Sequence, residues 1–177
     1  TLASRNKMIG KAQSDMVVGT AMSNQGVVEA LGKLGISFIR TDVGDKYISR
    51  ELVKNDLNLG AEPSGHVIQR EFSESGDANI ALIQTLAALQ ELDTSIAEIK
   101  NNIDYKPLSL KNFSVTDVEV IESEIFIESI EKLKKKHPEA RISVRKSGTE
   151  PKIRAMVEAE TEKEKDSILS EIENLIT

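Results

Sequence analysis

The sequence contains no cysteine and only two histidines, His66 and His137. The lack of cysteine excludes a disulfide framework and a thiolate zinc site, and two histidines are too few for a histidine-rich metal site. Lys and Arg number 23 against 29 Asp and Glu, so the formal net charge is −6. Because no basic field exists to attract nucleic acid or an anionic membrane surface, we expect neither among the partners of this protein.

Long apolar runs are also missing. No stretch of the 177 residues is an uninterrupted apolar run of the kind that crosses a bilayer, which takes about 20 residues. The first segment has neither a charged n-region nor an apolar h-region, and we interpret the sequence as that of a cytoplasmic, truncated protein. With 39% hydrophobic residues, the chain can bury one ordinary core or two small ones.

The first hundred residues alternate short apolar strands with amphipathic helices, which is typical of a three-layer α/β domain with a mixed sheet. Strands are predicted at Met16–Thr20, Ile36–Arg40 and Val67–Phe72. A helix that ends at Gly35 is predicted between the first two strands. A second helix, rich in Ala and Leu, is expected to be largely buried, and its apolar positions are Leu82, Ile83, Leu86 and Leu89.

The periodicity fades between about Asn101 and Asn112, and the sequence style then changes. We therefore predict one domain at 1–104 and a second at 105–177. The second domain begins with a predicted strand around Val118 and Val120, followed by a helix that Pro138 closes, two more strands and a last helix. This order predicts a small α+β domain in which two helices pack on one face of an antiparallel sheet.

The segment from Arg145 to Pro151 joins two predicted strands and concentrates groups that bind a phosphate monoester. Arg145 can contact two phosphate oxygens at once, Ser147 and Thr149 can donate hydroxyl protons, and Gly148 lets backbone N–H groups turn inward. Arg154 follows on the strand face opposite the apolar residues and could supply a second guanidinium. An ordinary hairpin turn accounts for the same composition, because Ser, Gly, Thr and Pro are common turn residues.

The segment from Gly60 to His66 carries groups that suit a sugar. An ionised Glu62 only accepts hydrogen bonds and Ser64 both donates and accepts, so together they can bind vicinal hydroxyls of a hexopyranose, and His66 can bind sugar or phosphate. The alternative is a polar loop before the next strand, in which His66 only caps the strand.

Both segments resemble signatures of the α-D-phosphohexomutases. The heptapeptide at Arg145 is similar to that family's Arg-x-Ser-Gly/Asn-Thr-Glu-Pro phosphate loop, and the segment at Gly60 is similar to its Gly-Glu-x-Ser-Gly-His sugar loop, with Ala61 where Gly is usual. The resemblance implies that Glu62, Ser64 and His66 bind the sugar. It also implies that the residues binding the phosphate that is not transferred are Arg145, Ser147, Gly148 and Thr149, with Arg154 as a further candidate.

Two more stretches, Thr20–Gly26 and Arg40–Tyr47, resemble the third domain of this family. The resemblance implies that Gly44, Asp45 and Lys46 line the substrate cleft, although a surface turn with an ion pair is an alternative. The Gly-Asp-Lys-Tyr form is typical of the branch that acts on glucosamine phosphates. Asp42 departs from the family, because many members place a Lys there; either Lys46 or Arg40 supplies that charge, or the position is dispensable in this branch.

Two family motifs do not occur in the sequence: the loop with the phosphorylated serine and the Asp-rich loop that holds Mg²⁺. The resemblance therefore covers the last two of four domains and implies no catalytic residue and no metal ligand in this chain. It implies a whole enzyme, an isomerase with Mg²⁺ as cofactor, that interconverts glucosamine 6-phosphate and glucosamine 1-phosphate through a bisphosphate. This chain would bind the hexosamine phosphate, would need the N-terminal domains of the same enzyme as partners, and would be inactive alone. The alternatives are a half of a mutase for glucose or mannose phosphates, and a sugar-phosphate binding module without catalysis.

Overall fold

The computed structural model describes residues 1–11, 15–115, 117–147 and 150–176. They divide into two compact units, Thr1–Tyr105 and Lys106–Thr177. In the described residues, the first unit contains a four-stranded mixed sheet and the second a three-stranded antiparallel sheet. The predicted fold class, a layered α/β domain followed by a small α+β domain, is confirmed.

The first unit is built around a sheet with the strand order β2-β1-β3-β4. β1 runs parallel to β2 and β3, whereas β4 is antiparallel to β3. The elements of this unit are α1 (Leu2–Met8), β1 (Met16–Thr20), α2 (Gln25–Lys33), β2 (Ser37–Thr41), α3 (Asp45–Lys54), β3 (Leu59–Ala61), β4 (Val67–Gln69), α4 (Ala78–Glu91) and α5 (Ile96–Asn101).

Side chains alternate between the two faces of this sheet and form two separate apolar clusters. On one face, Val18 and Ile68 pack against Ile48 and Leu52 of α3. On the other, Val17 and Leu59 cluster with Ala3 of α1, Ile36 and half-buried Leu31 of α2. Helices thus cover both faces, which gives the three layers that the sequence predicts.

The expectation that the Ala- and Leu-rich helix is largely buried is wrong. In α4, Leu82, Ile83 and Leu86 are 59%, 64% and 57% exposed, and of the residues of this helix only Ala88 is buried. Apolar residues lie on all sides of α4, so its composition does not select a buried face. Its contact with α1 is partly polar, because Gln84 and Glu91 accept hydrogen bonds from the guanidinium of Arg5.

Among the elements of the first unit that the sequence does not predict are α3 and β3, and β4 is shorter than predicted. α3 is highly polar and buries only Ile48 and Leu52, and β3 has three residues, one of them Gly60. Both are too weakly patterned to be predicted. β4 ends at Gln69 because the backbone N–H groups of Phe72 and Ser73 both donate to the carbonyl of Gln69, which turns the chain.

Asp77 caps the N-terminus of α4. Its carboxylate accepts hydrogen bonds from the backbone N–H groups of Asn79 and Ile80 at 2.8 and 3.0 Å. Asp77→Ala should therefore lower the free energy of unfolding by about 1 kcal/mol, measured by urea denaturation. Gln90→Ala, at an exposed position in the last turn of the same helix, is the control and should change it little. Equal stability of the two variants would contradict the capping role.

The second unit has the strand order β5-β7-β6, and every pairing is antiparallel. Residues of β7 that face the helices, Ile153, Ala155 and Val157, share one core with Phe126 and Ile168. The elements of this unit are β5 (Leu108–Ser114), a 3-10 helix (Val118–Glu122), α6 (Glu124–Lys136), β6 (Arg141–Lys146), β7 (Lys152–Glu158) and α7 (Glu162–Ile176).

The first strand of the second unit lies about ten residues earlier than predicted. Val118 and Val120 belong to the 3-10 helix, because the carboxylate of Asp117 accepts a hydrogen bond from the N–H of Glu119 and starts a helical turn. The strand is instead β5, inside the segment where periodicity fades. Its apolar residues hide the alternation, since Leu108 and Leu110 lie on one face and Phe113 on the other.

Within the described residues, no helix combines the length and the apolar character that crossing a membrane requires.

Candidate functional site

The loops that follow β1, β2 and β3 meet at one edge of the first unit's sheet. Parallel strands end at the same edge, so residues 21–24, 42–44 and 62–66 all lie at the carboxyl ends of strands. These loops belong to the three stretches of the first unit that the sequence analysis singles out. In α/β sheets, ligands bind in the crevice outside this edge.

The segment from Glu62 to His66 is a tight connection between the antiparallel strands β3 and β4. The N–H of Glu62 donates to the carbonyl of His66, and the N–H of Gly65 donates to the carbonyl of Glu62, both at 3.0 Å. Gly65 has φ +99°, in the region that favours glycine. The turn therefore has a defined backbone, and its side chains start from fixed positions.

The three predicted sugar ligands contact one another. The hydroxyl of Ser64 donates to Glu62 Oε1 at 2.7 Å, and His66 Nδ1 lies 3.0 Å from both Ser64 Oγ and Glu62 Oε1. The side chain of Glu62 is 9% exposed, whereas that of His66 is 57% exposed. Such a cluster presents acceptors, a hydroxyl and an imidazole together in one exposed loop, which suits a polyhydroxylated ligand.

The residues Gly44, Asp45 and Lys46 form the start of α3. Gly44 has φ +129° and precedes the helix, and the carboxylate of Asp45 accepts a hydrogen bond from the N–H of Lys46 at 2.7 Å. The ammonium of Lys46 lies 4.8 Å from the centre of the Tyr47 ring, within the range of a cation–π contact. The side chains of Asp45 and Lys46 are thus at the same sheet edge as the turn at Glu62.

Arg40 is engaged in holding the loop after β1. Its guanidinium donates to the carbonyl of Ser23 at 2.5 Å and to the side chain of Gln25 at 2.8 Å, and it lies 5.4 Å from the ring centre of Phe38. Asp42 is exposed. Of the two cations that the sequence analysis considers as replacements for the family's Lys, the structure places Arg40 in loop contacts and leaves Lys46 as the better candidate.

The predicted phosphate loop connects β6 and β7. The N–H of Ser147 donates to the carbonyl of Lys152 at 2.8 Å, which closes the base of the loop. Two of the residues predicted to bind phosphate, Gly148 and Thr149, lie outside the described residues. The other three, Arg145, Ser147 and Arg154, lie at the ends of the two strands.

Arg145 and Arg154 are directly opposite each other in the β6–β7 ladder. Directly opposed residues of antiparallel strands share a face with Cβ atoms about 5 Å apart, and like charges there are destabilising. Ser147 Oγ and Arg154 Nε are buried and have no hydrogen-bond partner among the described residues. Two guanidinium groups, a hydroxyl and an unsatisfied N–H therefore gather where an anion such as phosphate would offset the repulsion.

Lys146 lies between Arg145 and Ser147 in the sequence, and it makes an ion-pair contact that the sequence does not predict. Its ammonium is 2.6 Å from Glu119 Oε2 and 2.7 Å from Glu122 Oε1. The hydrogen bonds to these two carboxylates raise the pKa of Lys146, and the bond to Lys146 lowers the pKa of Glu122. No sequence pattern indicates this contact, because the segment with Glu119 and Glu122 is predicted as a strand. The structure shows a 3-10 helix there instead.

The part of the chain that the structure describes contains no group of three or more His, Asp or Glu side chains that could hold a metal ion. The described residues therefore do not fit a Mg²⁺ site.

Two domain models of one known family match the chain. Residues 2–105 match the model described as phosphoglucomutase/phosphomannomutase, alpha/beta/alpha domain III, and residues 85–175 match the C-terminal domain of the same family. The chain belongs to the phosphoglucomutase/phosphomannomutase family, whose members are phosphohexomutases.

Among similar relatives is a phosphoglucosamine mutase from Oceanobacillus iheyensis, 35% identical over 170 residues that cover 95% of this chain. Another phosphoglucosamine mutase, from Thermodesulfovibrio yellowstonii, is 37% identical over 97% of this chain. The chain spans only 38% and 39% of the length of these two relatives.

A solved structure of Aspergillus fumigatus N-acetylphosphoglucosamine mutase, in complex with GlcNAc-6P and magnesium, has the same fold. It superposes with a TM-score of 0.76 at 18% identity, and the match covers 99% of this chain and 42% of that one. At this identity the similarity establishes the fold.

Proposed function

We propose that this chain is the part of a phosphoglucosamine mutase that binds the substrate's sugar ring and its distal phosphate. The whole enzyme would be a cytoplasmic isomerase that interconverts glucosamine 6-phosphate and glucosamine 1-phosphate through a bisphosphate. The observation that carries the proposal is the opposed pair Arg145 and Arg154 beside the hydroxyl of Ser147, which has no hydrogen-bond partner among the described residues. Such a cluster of donors with like charge needs an anion, and a phosphate monoester offers oxygens to each donor.

The sugar would be held by the first unit. Glu62 accepts hydrogen bonds from ring hydroxyls, Ser64 accepts and donates, and His66 contacts sugar or phosphate. Their mutual hydrogen bonds hold the side chains in place before the ligand arrives, which reduces the entropy lost on binding. Gly44, Asp45 and Lys46 would line the same side of the ligand, with Lys46 as its cation.

The second unit would hold the phosphate that is not transferred, through Arg145, Ser147, Gly148, Thr149 and Arg154. None of these residues takes part in covalent chemistry in this proposal. The phosphorylated serine and the Mg²⁺ ligands would belong to the N-terminal domains of the whole enzyme. The role of this chain is then orientation of the substrate, which lowers the barrier by fixing the reacting phosphate in place.

The proposal is tested by titrating the chain with glucosamine 6-phosphate and with inorganic phosphate, followed by NMR. Wild type should bind both, the sugar phosphate more tightly. Glu62→Gln should weaken binding of glucosamine 6-phosphate about tenfold, because a charged acceptor is replaced by an amide, and should leave inorganic phosphate unaffected. The chain alone should not interconvert the two glucosamine phosphates.

Glu51→Gln is the matched control. It removes one carboxylate from the last turn of α3, away from the start of that helix at Asp45 and Lys46. Equal loss with both substitutions would show that Glu62 acts only through the net charge. Isomerisation by the isolated chain would overturn the division of roles. Tighter binding of glucose 6-phosphate or mannose 6-phosphate than of glucosamine 6-phosphate would favour a sibling mutase.

A further inference from the structure

The residue between Arg145 and Ser147 faces away from the predicted phosphate ligands. Side chains alternate along a strand, and the ladder pairs Arg145 with Arg154 but Lys146 with Ile153. Ile153 is fully buried in the core of the second unit. The side chain of Lys146 therefore starts from the helix-covered face of the sheet, and it does not share the face of the two arginines.

On that face, Lys146 joins the end of β6 to the 3-10 helix. Its ammonium is 2.6 and 2.7 Å from the carboxylates of Glu119 and Glu122. These glutamates are three residues apart, so a 3-10 helix presents them on one side. The helix is itself fixed at both ends, because Asp117 accepts from the N–H of Glu119 and the hydroxyl of Ser123 donates to the carbonyl of Val120.

We propose that Lys146 is a positioning residue, which holds the end of β6 through Glu119 and Glu122 so that the side chains of Arg145 and Ser147 meet the phosphate. Among the described residues, β6 is an edge strand that pairs with β7 alone, so contacts of its side chains with other elements help to hold its end. This inference rests on the proposed function of the loop. We call the contact of Lys146 with Glu119 and Glu122 the Lys146 clamp.

The Lys146 clamp contributes to geometry more than to stability. Both glutamate side chains are 64% exposed, and ion pairs between exposed groups stabilise a fold little. A bound phosphate, in contrast, needs its donors within hydrogen-bond distance at the same time, so a small shift of the strand end weakens several bonds together.

The Lys146 clamp and a purely electrostatic role of Glu119 and Glu122 predict opposite changes in affinity when both glutamates are replaced. Glu119→Gln combined with Glu122→Gln removes two negative charges near the phosphate loop and leaves the ammonium of Lys146 unneutralised. Electrostatics alone would then tighten the binding of an anion. Loss of the Lys146 clamp would weaken it, because the end of β6 is no longer held.

The first experiment titrates this double variant with glucosamine 6-phosphate. We expect affinity to fall about fivefold, the scale of the loss of exposed ion pairs. Glu128→Gln combined with Glu131→Gln is the matched control, because it removes two carboxylates that pair with Lys132 and Lys134 elsewhere in the same unit. The control should bind as wild type. Unchanged or tighter binding by the Glu119 and Glu122 variant would overturn the proposal.

The second experiment measures hydrogen exchange of the Ser147 amide, which donates to the carbonyl of Lys152 at the base of the loop. Lys146→Met should speed this exchange and weaken binding, whereas Lys146→Arg should preserve both, since a guanidinium can bond both carboxylates. Unchanged exchange in Lys146→Met would refute the Lys146 clamp. If wild type fails to bind glucosamine 6-phosphate but the exchange changes as expected, the proposed function fails and the clamp remains.

Discussion

Replacing Arg145 by alanine is expected to weaken binding of glucosamine 6-phosphate by about 10- to 100-fold, the cost of losing hydrogen bonds between charged groups. The same change should leave the free energy of unfolding unchanged or slightly higher. Arg145 is exposed and lies opposite Arg154, so its removal relieves a repulsion between like charges. Affinity is measured by NMR titration and stability by urea denaturation.

Two further variants separate the charge of Arg145 from its shape. Lys132→Ala removes one positive charge from an exposed position of α6 and should leave affinity at the wild-type value. Arg145→Lys keeps the charge but loses the planar fork that bonds two phosphate oxygens, and it should fall between wild type and Arg145→Ala. Wild-type affinity in Arg145→Ala would show that this loop is an ordinary hairpin.

The second large effect concerns folding of the first unit, at Gly26 in the first turn of α2. A Cβ atom placed on Gly26 would lie 1.9 Å from the backbone oxygen of Asp104. Because the obstacle is backbone, α2 or the segment at residues 104–105 would have to move. Gly26→Ala should therefore lower the free energy of unfolding by about 2–3 kcal/mol, the upper part of the range for overpacked sites, as measured by urea denaturation.

Gly32 in the same helix provides the control. A Cβ at Gly32 meets no atom within 4 Å, so Gly32→Ala adds a better helix former at no steric cost. This variant should be more stable than wild type by about 0.5–1 kcal/mol. Opposite signs for the two substitutions are the expected result, and a stabilised Gly26→Ala would contradict the close contact.

The sequence predicts those elements whose apolar pattern agrees with their surroundings. β1 occurs at the predicted residues, and the helix predicted before Pro138 is α6, whose buried residues Phe126, Ile130 and Leu133 recur at helical spacing. α4 fails for a physical reason, since apolar residues surround it and packing alone decides which of them is buried. β5 fails because both of its faces carry apolar and polar residues.

The residues of the candidate site also fall into two groups, those that local spacing brings together and those that only tertiary packing brings together. Local spacing is enough to bring Glu62, Ser64 and His66 together, because they lie two residues apart across one tight turn. The contact of Lys146 with Glu119 and Glu122 depends on tertiary packing between elements about 25 residues apart. No motif encodes such a contact. The roles of all these residues in binding remain predictions that the titrations test.

The position of the predicted sugar loop at the carboxyl edge of the sheet has a consequence for evolution. The loop begins where β3 ends, and Pro63 and Ser64 are exposed, while the buried residues that stabilise the unit lie in the strands and helices. Under the proposed function, substitutions at the tip of the loop can therefore alter ligand preference with little loss of stability. Ala61, which departs from the resembled pattern, and Pro63 are both exposed there, so this edge of the unit can vary in sequence without first acquiring a more stable core.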